Sequence, residues 1–419
     1  MNPLPVVRAM LRRTPFTAAL FVLVIALAVA LGIAISAQER ALRQGSARAA
    51  DRFDLLVAAP GSQTDLLLSA VYLRASAAEL LPGPLAHRVL SDHDAAFAAP
   101  IAFGDSYRDF QVVGTSAAFV THLSDGLAAG RAFAAMDEAV VGALVDAPMG
   151  AALPIRHGHA DDVSGGMDAD GFEADDHKGP ADAHDDPNGH GDVTVVGRMQ
   201  PTGTPWDRAV VLPVEYIWLA HGMGTGHAPG DARIGPPWDA AQMPGLPAIV
   251  LKPKSVAAAY GLRARYRSAE STAFFPAETL VGLYALMGHA ARVMAALTLA
   301  AQVLVVAAIL AGILAVLDLQ RKSFAVLRAL GAPAAYVFLT VWLYVAALLL
   351  GGAALGLPLG WAGSALASSL IAQQTGVAMQ ATLGGAEIAM AALLLGCGFV
   401  LALVPAWRVY RQSVVDGLQ

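Results

Sequence analysis

Long uncharged stretches alternate with short mixed ones along this chain. No Asp, Glu, Lys or Arg occurs from Thr14 to Ala37, from Val293 to Leu317, from Ala329 to Ala386 or from Ile388 to Trp407. A helix needs about 20 apolar residues to cross a bilayer. The first, second and fourth runs each fit one such helix. The third is too long for one and is interrupted by Gly351, Gly352, Gly356, Pro358 and Gly360. It therefore reads as one span followed by a short outer segment. The pattern predicts a membrane protein with four transmembrane α-helices, at 16–37, 286–317, 335–358 and 387–407, the outer segment being 359–386. Ala34-Ile35-Ser36-Ala37 resembles a signal cleavage site. The apolar core before it is longer than the 7–15 residues of a signal peptide, so a retained span is expected.

Between the first two spans the pattern changes. Short β-type segments run Phe53–Ala59, Phe110–Gly114, Val193–Val196, Val210–Pro213 and Ala248–Leu251, separated by alanine-rich stretches and Gly/Pro turns. This predicts a large α+β domain over 38–285. Helix-compatible residues continue past the first span to about Asp51. Ahead of the second span, Pro276 and Glu278 form a sound helix start. From there to Leu319 is about 43 residues, or roughly 65 Å, twice the hydrocarbon thickness. The two helices are expected to act as stalks that carry motion.

Charge sets the orientation. Arg8, Arg12 and Arg13 precede the first span, Arg321, Lys322 and Arg328 lie between the second and third, and Arg408 and Arg411 follow the fourth. All are cytoplasmic if both termini are inside, which makes 1–15, 318–334 and 408–419 cytoplasmic and 38–285 extracytoplasmic. Composition agrees: 56% hydrophobic and 14% charged, against about 25% charged in globular proteins, argues against two soluble domains. The net charge of −6 comes largely from one segment and gives no reason to expect nucleic acid. Cys397 is the single cysteine, so no intramolecular disulfide can form. No HExxH, GxSxG, CxxC or G-x-x-x-x-G-K-[ST] pattern occurs, so intrinsic catalysis is not expected.

The loop after the second span reads LDLQRKSFAVLRALGAPAAYVF. Arg321 to Leu330 suit a short amphipathic helix, with Phe324, Leu327 and Leu330 three apart, charge from Arg321, Lys322 and Arg328, and a stop at Gly331 and Pro333. It could lie on lipid headgroups or fit a partner's apolar groove. QRKSFAVLRALGAP in this position, with one span, a large outer domain and three further spans, resembles the MacB/FtsX-type ABC transporter permeases, which include LolC and LolE. The ending LVPAWRVYRQSVVDGL, Leu403 to Leu418, is similar to that family's. The resemblance implies a permease dimer, with a homodimer expected, in a bacterial inner membrane. It implies a coupling helix made of Arg321, Lys322, Phe324, Leu327, Arg328, Leu330 and Gly331, and a cytoplasmic ATPase that binds the ATP. About 15 residues precede the first span here, which places that ATPase on a separate chain. ATP-driven closure would move the stalks and the outer domain, with a lipoprotein, an amphiphile or a metal-bearing partner as cargo. Membrane lipids and a periplasmic substrate or adaptor protein are the other expected partners. An FtsX-like regulator of an outer enzyme or sensor is the alternative. A metal-storage or sensor protein without an ATPase conflicts with the LRALGAP helix.

DLLVAAPGSQTDLLLSAVYL and GRMQPTGTPWDRAVVLPVEYIWLAHG resemble an uncharacterised MacB-like subgroup. Some of its members carry His-rich loops and are suspected of a zinc-linked role. In PTGTPWDR, Asp207 and Arg208 are expected to pair within a turn. The most unusual stretch is Ile155 to Val193, which packs five of eleven histidines among eleven acidic residues. His157, His159, His177, His184 and His190 are the candidate metal ligands, zinc being the candidate ion. Their irregular, glycine-rich spacing fits a flexible collector of zinc, copper or nickel, and equally a solvated insertion. His221 and His227 could complete a site only if the fold brings them near. Glu387, at the start of the fourth span, reads as an interfacial anchor.

Overall fold

The computed structural model describes residues 2–74, 79–157, 189–319 and 321–411. Helices α1 (Leu4–Arg13) and α2 (Pro15–Ala50) come first, then β1 (Leu55–Ala58), α3 (Gln63–Ala70) and α4 (Gly83–Leu90). Next are β2 (Ala95–Tyr107), β3 (Phe110–Thr115), α5 (Ala117–Ser124), β4 (Leu127–Gly130), β5 (Glu138–Val141) and β6 (Ala152–His157). They are followed by β7 (Gly189–Met199), β8 (Ala209–Pro213), α6 (Val214–Ala220), β9 (Ala248–Pro253), α7 (Val256–Tyr266) and β10 (Thr272–Phe274). The rest is helical: α8 (Pro276–Leu319), α9 (Arg321–Ala329), α10 (Ala334–Thr375), α11 (Gly385–Leu401) and α12 (Leu403–Arg411). Two compact units result, a helical one of Met1–Arg43, Met287–Leu370 and Met379–Gln419, and an α+β one of Gln44–Leu286 and Ile371–Ala378.

In the helical unit, three described stretches are long and apolar enough to cross a membrane: Pro15–Ala50, Ala334–Thr375 and Glu387–Trp407. The apolar part of α8 among the described residues is Gln302–Ala315. The break expected after 358 does not occur, because α10 continues through Pro358 to Thr375. Residues 359–375, read from sequence as outer segment, are helix. The reason is packing. Gly352, Gly356 and Gly360 recur every four residues, Ser364 and Ser368 extend the row, and all five are buried. A Cβ on Gly356 would come 2.7 Å from the Ala26 carbonyl oxygen, one on Gly360 2.8 Å from that of Ala30, and one on Gly352 2.4 Å from Ile25 Cγ2. The glycines therefore let two backbones meet. Between helices in lipid, close approach replaces the hydrophobic drive available in water. Ser368 Oγ then donates to Gln38 Oε1 at 3.1 Å, extending the seam with a polar contact. An amphipathic α1, not expected from sequence, adds Val7 and Met10 to the same core.

In the α+β unit, six of the ten strands close a ring, in the order β2, β3, β8, β5, β7, β6 and back to β2. Strands β9, β1 and β10 extend outward from β2, and β4 is added to β7. All five segments read as strands from sequence are strands. Their unbroken apolar runs have a physical cause: both faces are covered. Leu55, Val57, Ile249 and Leu251 enter one core, while Leu56, Ala58, Ala248 and Val250 enter another. Strand β2 was not legible, since AAFAAPIAFGDSY is alanine-rich and carries Pro100. It serves two neighbourhoods by bending at Gly104 (φ +145°). Ala95–Ile101 pair with β9 and Ala102–Tyr107 with β3, with a register shift between Phe103 and Asp105. Bulges of this kind re-aim the side chains beside them.

Gly356→Leu should destabilise the helical unit by roughly 1–3 kcal/mol through overpacking. Gly363 faces open space. Gly363→Ala should instead be neutral or stabilising by about 0.5–1 kcal/mol. Thermal melts of the detergent-solubilised chain would separate the two, and equal shifts would remove the close-approach account.

Candidate functional site

The loop helix α9 forms where the sequence places it. Its end is built by backbone: Gly331 adopts φ +96°, its N–H donates to the Arg328 carbonyl at 3.0 Å, and that of Ala332 donates to Leu327 at 3.1 Å. This is the paired closure that glycine allows at a helix end. The predicted residues divide by face. Phe324 is buried and Leu327 half-buried against the unit's own core. Lys322 is exposed, as are Val326 and Leu330, the last at 80%. The outward row is thus Lys322, Val326 and Leu330, spaced by four and presenting apolar side chains beside a charge. Arg328 is half-buried and Gly331 exposed; the Arg321 side chain lies outside what the structure describes.

Glu387, read from sequence as an interfacial anchor, turns inward. It is fully buried, ion-paired with Arg40, and accepts hydrogen bonds from Ser36 Oγ at 2.8 Å and the Gly384 N–H at 2.9 Å. Ser36 and Arg40 lie one turn apart on α2, so one carboxylate ties the start of α11 to that helix. A buried charge persists only with such partners.

PTGTPWDR also differs from expectation. Asp207 and Arg208 do not pair with each other. Asp207 accepts from the Thr202 N–H and Oγ1 and from the Gly203 N–H, each at 2.8 Å, closing the turn on itself. Arg208 lies over the Phe110 ring at 5.0 Å and donates to the Gln373 carbonyl at 3.0 Å. The Ala378 N–H donates to Gly203 at 2.9 Å, and a Cβ on Gly376 would come 2.9 Å from Pro205 Cα. Residues Ile371–Ala378 are thereby fastened onto this turn within the α+β unit.

Of the histidine candidates, His159, His177 and His184 lie outside the described residues, as do Asp161, Asp162, Asp175, Asp176, Asp185 and Asp186. His157 ends β6 and His190 is the second residue of β7. Arg156 pairs with Gly189, so the ends of the segment form the base of a hairpin. The register of β2 and β6 sets His157 directly opposite Asp105, just past the bulge. Asp105 is fully buried. His221, far off in sequence, comes to it: Nε2 is 3.7 Å from Asp105 Oδ1. His221 is held by the end of α6, where Gly222 at φ +70° closes the helix and Nδ1 lies 2.8 Å from the Ile217 carbonyl oxygen. Tyr216 donates to the Gly191 carbonyl at 3.1 Å. Its phenol is pushed up to about 12, first by burial and then by the carboxylates of Asp105 and Asp192.

His227 goes elsewhere, to the buried Glu215, with Nε2 3.7 Å from Oε1. That carboxylate oxygen also accepts from the Gly235 N–H and Trp238 Nε1, each at 2.7 Å. Asp92, His93 and Asp94 gather at the surface. Arg265 bridges both acids, at 2.5 and 2.8 Å, so their charge is already answered.

Residues 294–414 match the family model FtsX, described as the FtsX-like permease C-terminal. This stretch is an FtsX-like permease region. The resemblance read from QRKSFAVLRALGAP and LVPAWRVYRQSVVDGL is thereby shown, and the chain is a multi-pass membrane protein. The FtsX-like region holds α9, the glycine seam of α10 and Glu387, while Asp105, His157, Asp207 and His221 lie outside it. No curated protein matches the chain. Among solved structures, the extracellular domain of the noncanonic ABC-type transporter YknZ from Gram-positive bacteria is similar at 10% identity. The match covers 53% of this chain and 98% of that one, at a TM-score of 0.27.

Asp207→Ala leaves the Thr202 and Gly203 N–H groups without their acceptor and should cost about 3 kcal/mol of local stability. Hydrogen exchange should rise across both 201–206 and 374–378, whereas Arg208→Ala should raise it only in the second stretch. Unchanged exchange at 374–378 in both variants would mean that the turn fastens nothing.

Proposed function

We propose that this chain is the permease subunit of an ABC-type transporter that works by mechanical transmission. A separate cytoplasmic ATPase binds and hydrolyses ATP, docks on α9, and displaces the extracytoplasmic α+β unit. The observation that carries this reading is the continuity of α10. It begins three residues after Gly331 and runs 42 residues to Thr375. That is about 63 Å at 1.5 Å per residue. Arg208 holds Gln373 in its last turn, and Gly203 holds Ala378 three residues past its end. A push on the loop therefore has a single helix to travel along. Helices α2 and α8 also contribute residues to both units without interruption, as stalks would.

In this reading α8 supplies the fourth span, the basic residues place both termini in the cytoplasm of a bacterial inner membrane, and two copies assemble as a homodimer. Cargo is handled outside and does not pass between the helices. The space bordered by Ile25, Ile309, Val345 and Leu394 has Gln302 as its polar lining residue and offers no hydrophilic path. A lipoprotein, an amphiphile or a metal-bearing protein suits such handling. The same apolar lining favours the second reading, in which the outer unit switches an enzyme or sensor and nothing is moved.

A photo-crosslinker at Val326 should capture a chain containing a phosphate-binding loop, identified by peptide mass. Leu330→Glu should abolish the adduct while shifting the melt by no more than about 0.5 kcal/mol, as befits an exposed site. An adduct without a nucleotide-binding chain would overturn the ATPase-coupled reading.

A further inference from the structure

Helix α1 presents three arginines that no carboxylate answers. Its faces divide cleanly: Val7 and Met10 are buried with Val6 and Leu11 packed beside them, while Leu4, Pro5, Arg8, Ala9, Arg12 and Arg13 are exposed. Arg8 and Arg12 stand one turn apart on the outward face, and Arg13 follows in the last turn. Among the described residues, none of the three guanidiniums has an ion pair or a hydrogen bond. No acidic residue precedes Glu39 in the chain.

The depth of α1 is fixed by what it packs against. Val7 and Met10 enter the core that also takes Phe324 of α9 and Val337 and Tyr344 of α10. Tyr336 Oη donates to the Asn2 carbonyl at 3.3 Å, fastening the start of α1 to the first turn of α10. Phe338, two residues on, meets Tyr410 of α12 edge-on, and Tyr410 stacks on Trp407. Trp407 and Tyr410 are both exposed. Trp and Tyr side chains collect at the level of lipid headgroups. Helix α1, held on the same stretch of α10, lies at that level.

A guanidinium is a planar fork that takes two phosphate oxygens at once. Leu4 and Phe16, exposed at 60% and 81%, flank the arginines, and the uncharged run begins at Thr14. Charge for a phosphate beside apolar surface for acyl chains describes a phospholipid rather than a free anion. We propose that Arg8, Arg12 and Arg13 form a site for the headgroup of an anionic phospholipid of the phosphatidylglycerol class, at the membrane surface where α1 meets α10. Orienting the chain by charge requires only that basic residues lie on one side. A site requires these three side chains and distinguishes one lipid from another. The inference rests on the chain being a multi-pass membrane protein and not on the transporter reading.

The full chain, purified in a non-ionic detergent, is titrated with phosphatidylglycerol or phosphatidylcholine, and lipid adducts are counted by native mass spectrometry. Phosphatidylglycerol should bind roughly tenfold or more tightly than phosphatidylcholine, since each basic group near a membrane surface is worth about fivefold. Arg8→Gln and Arg12→Gln should each cut the preference by about that factor, and the triple Gln variant should abolish it. The single variants keep two arginines to orient the chain, and unchanged melts would show that their fold is retained. Arg43→Gln, toward the far end of α2, should leave the preference intact. Equal binding of the two lipids, a preference that survives in the triple variant, or an equal loss in Arg43→Gln overturns the proposal. So does displacement of phosphatidylglycerol by an equal concentration of inorganic phosphate, which would make the ligand a free anion.

Discussion

Close approach of α2 and α10 is the contact on which the helical unit depends. Lipid offers apolar helices no reason to leave it for one another, so association rests on packing and on polar groups that meet inside. Glycines at 352, 356 and 360 supply the packing. Ser368 with Gln38, and Arg40 with Glu387, supply polar ties on the same helix α2. Together they hold α2 to α10 and to the start of α11. Truncating one member of the buried ion pair would strand the other, which is why such pairs matter more when broken than when formed.

The α+β unit solves a different problem. A long strand at a sheet edge invites pairing with other chains, and ring closure removes most of that edge. The bend at Gly104 lets β2 help close the ring and still extend the sheet through β9. It also lies beside Asp105, a fully buried acid that His221 approaches from the end of α6. Structural economy and a buried charge meet at one irregularity in one strand.

Much of this was legible in the sequence. The extent of α2 followed from its uncharged run and the helix-compatible residues after it, and the start of α8 from Pro276 and Glu278, signals that act locally. The five central strands followed from apolar runs bounded by turns, and α9 from its spacing and its Gly331 stop. What failed did so for identifiable reasons. Glycine breaks helices in water and packs them in lipid, so 351–360 was misread as an interruption. Alanine and Pro100 disguised β2. Glu387 looked interfacial because its partners, Ser36 and Arg40, are more than 340 residues away in sequence. Asp207 and Arg208 looked like a pair because they are adjacent, whereas each bonds to backbone. His157 was one of five histidines named as ligands; that its backbone pairs opposite Asp105 required the register of β6 on β2.

The seam between α2 and α10 repeats every four residues, with Gly352, Gly356 and Gly360 seated on Ile25, Val29 and Ile33 in turn. Three seats in a row fix the register of the two helices as well as their spacing, since a shift along the axis would lift every glycine from its seat at once.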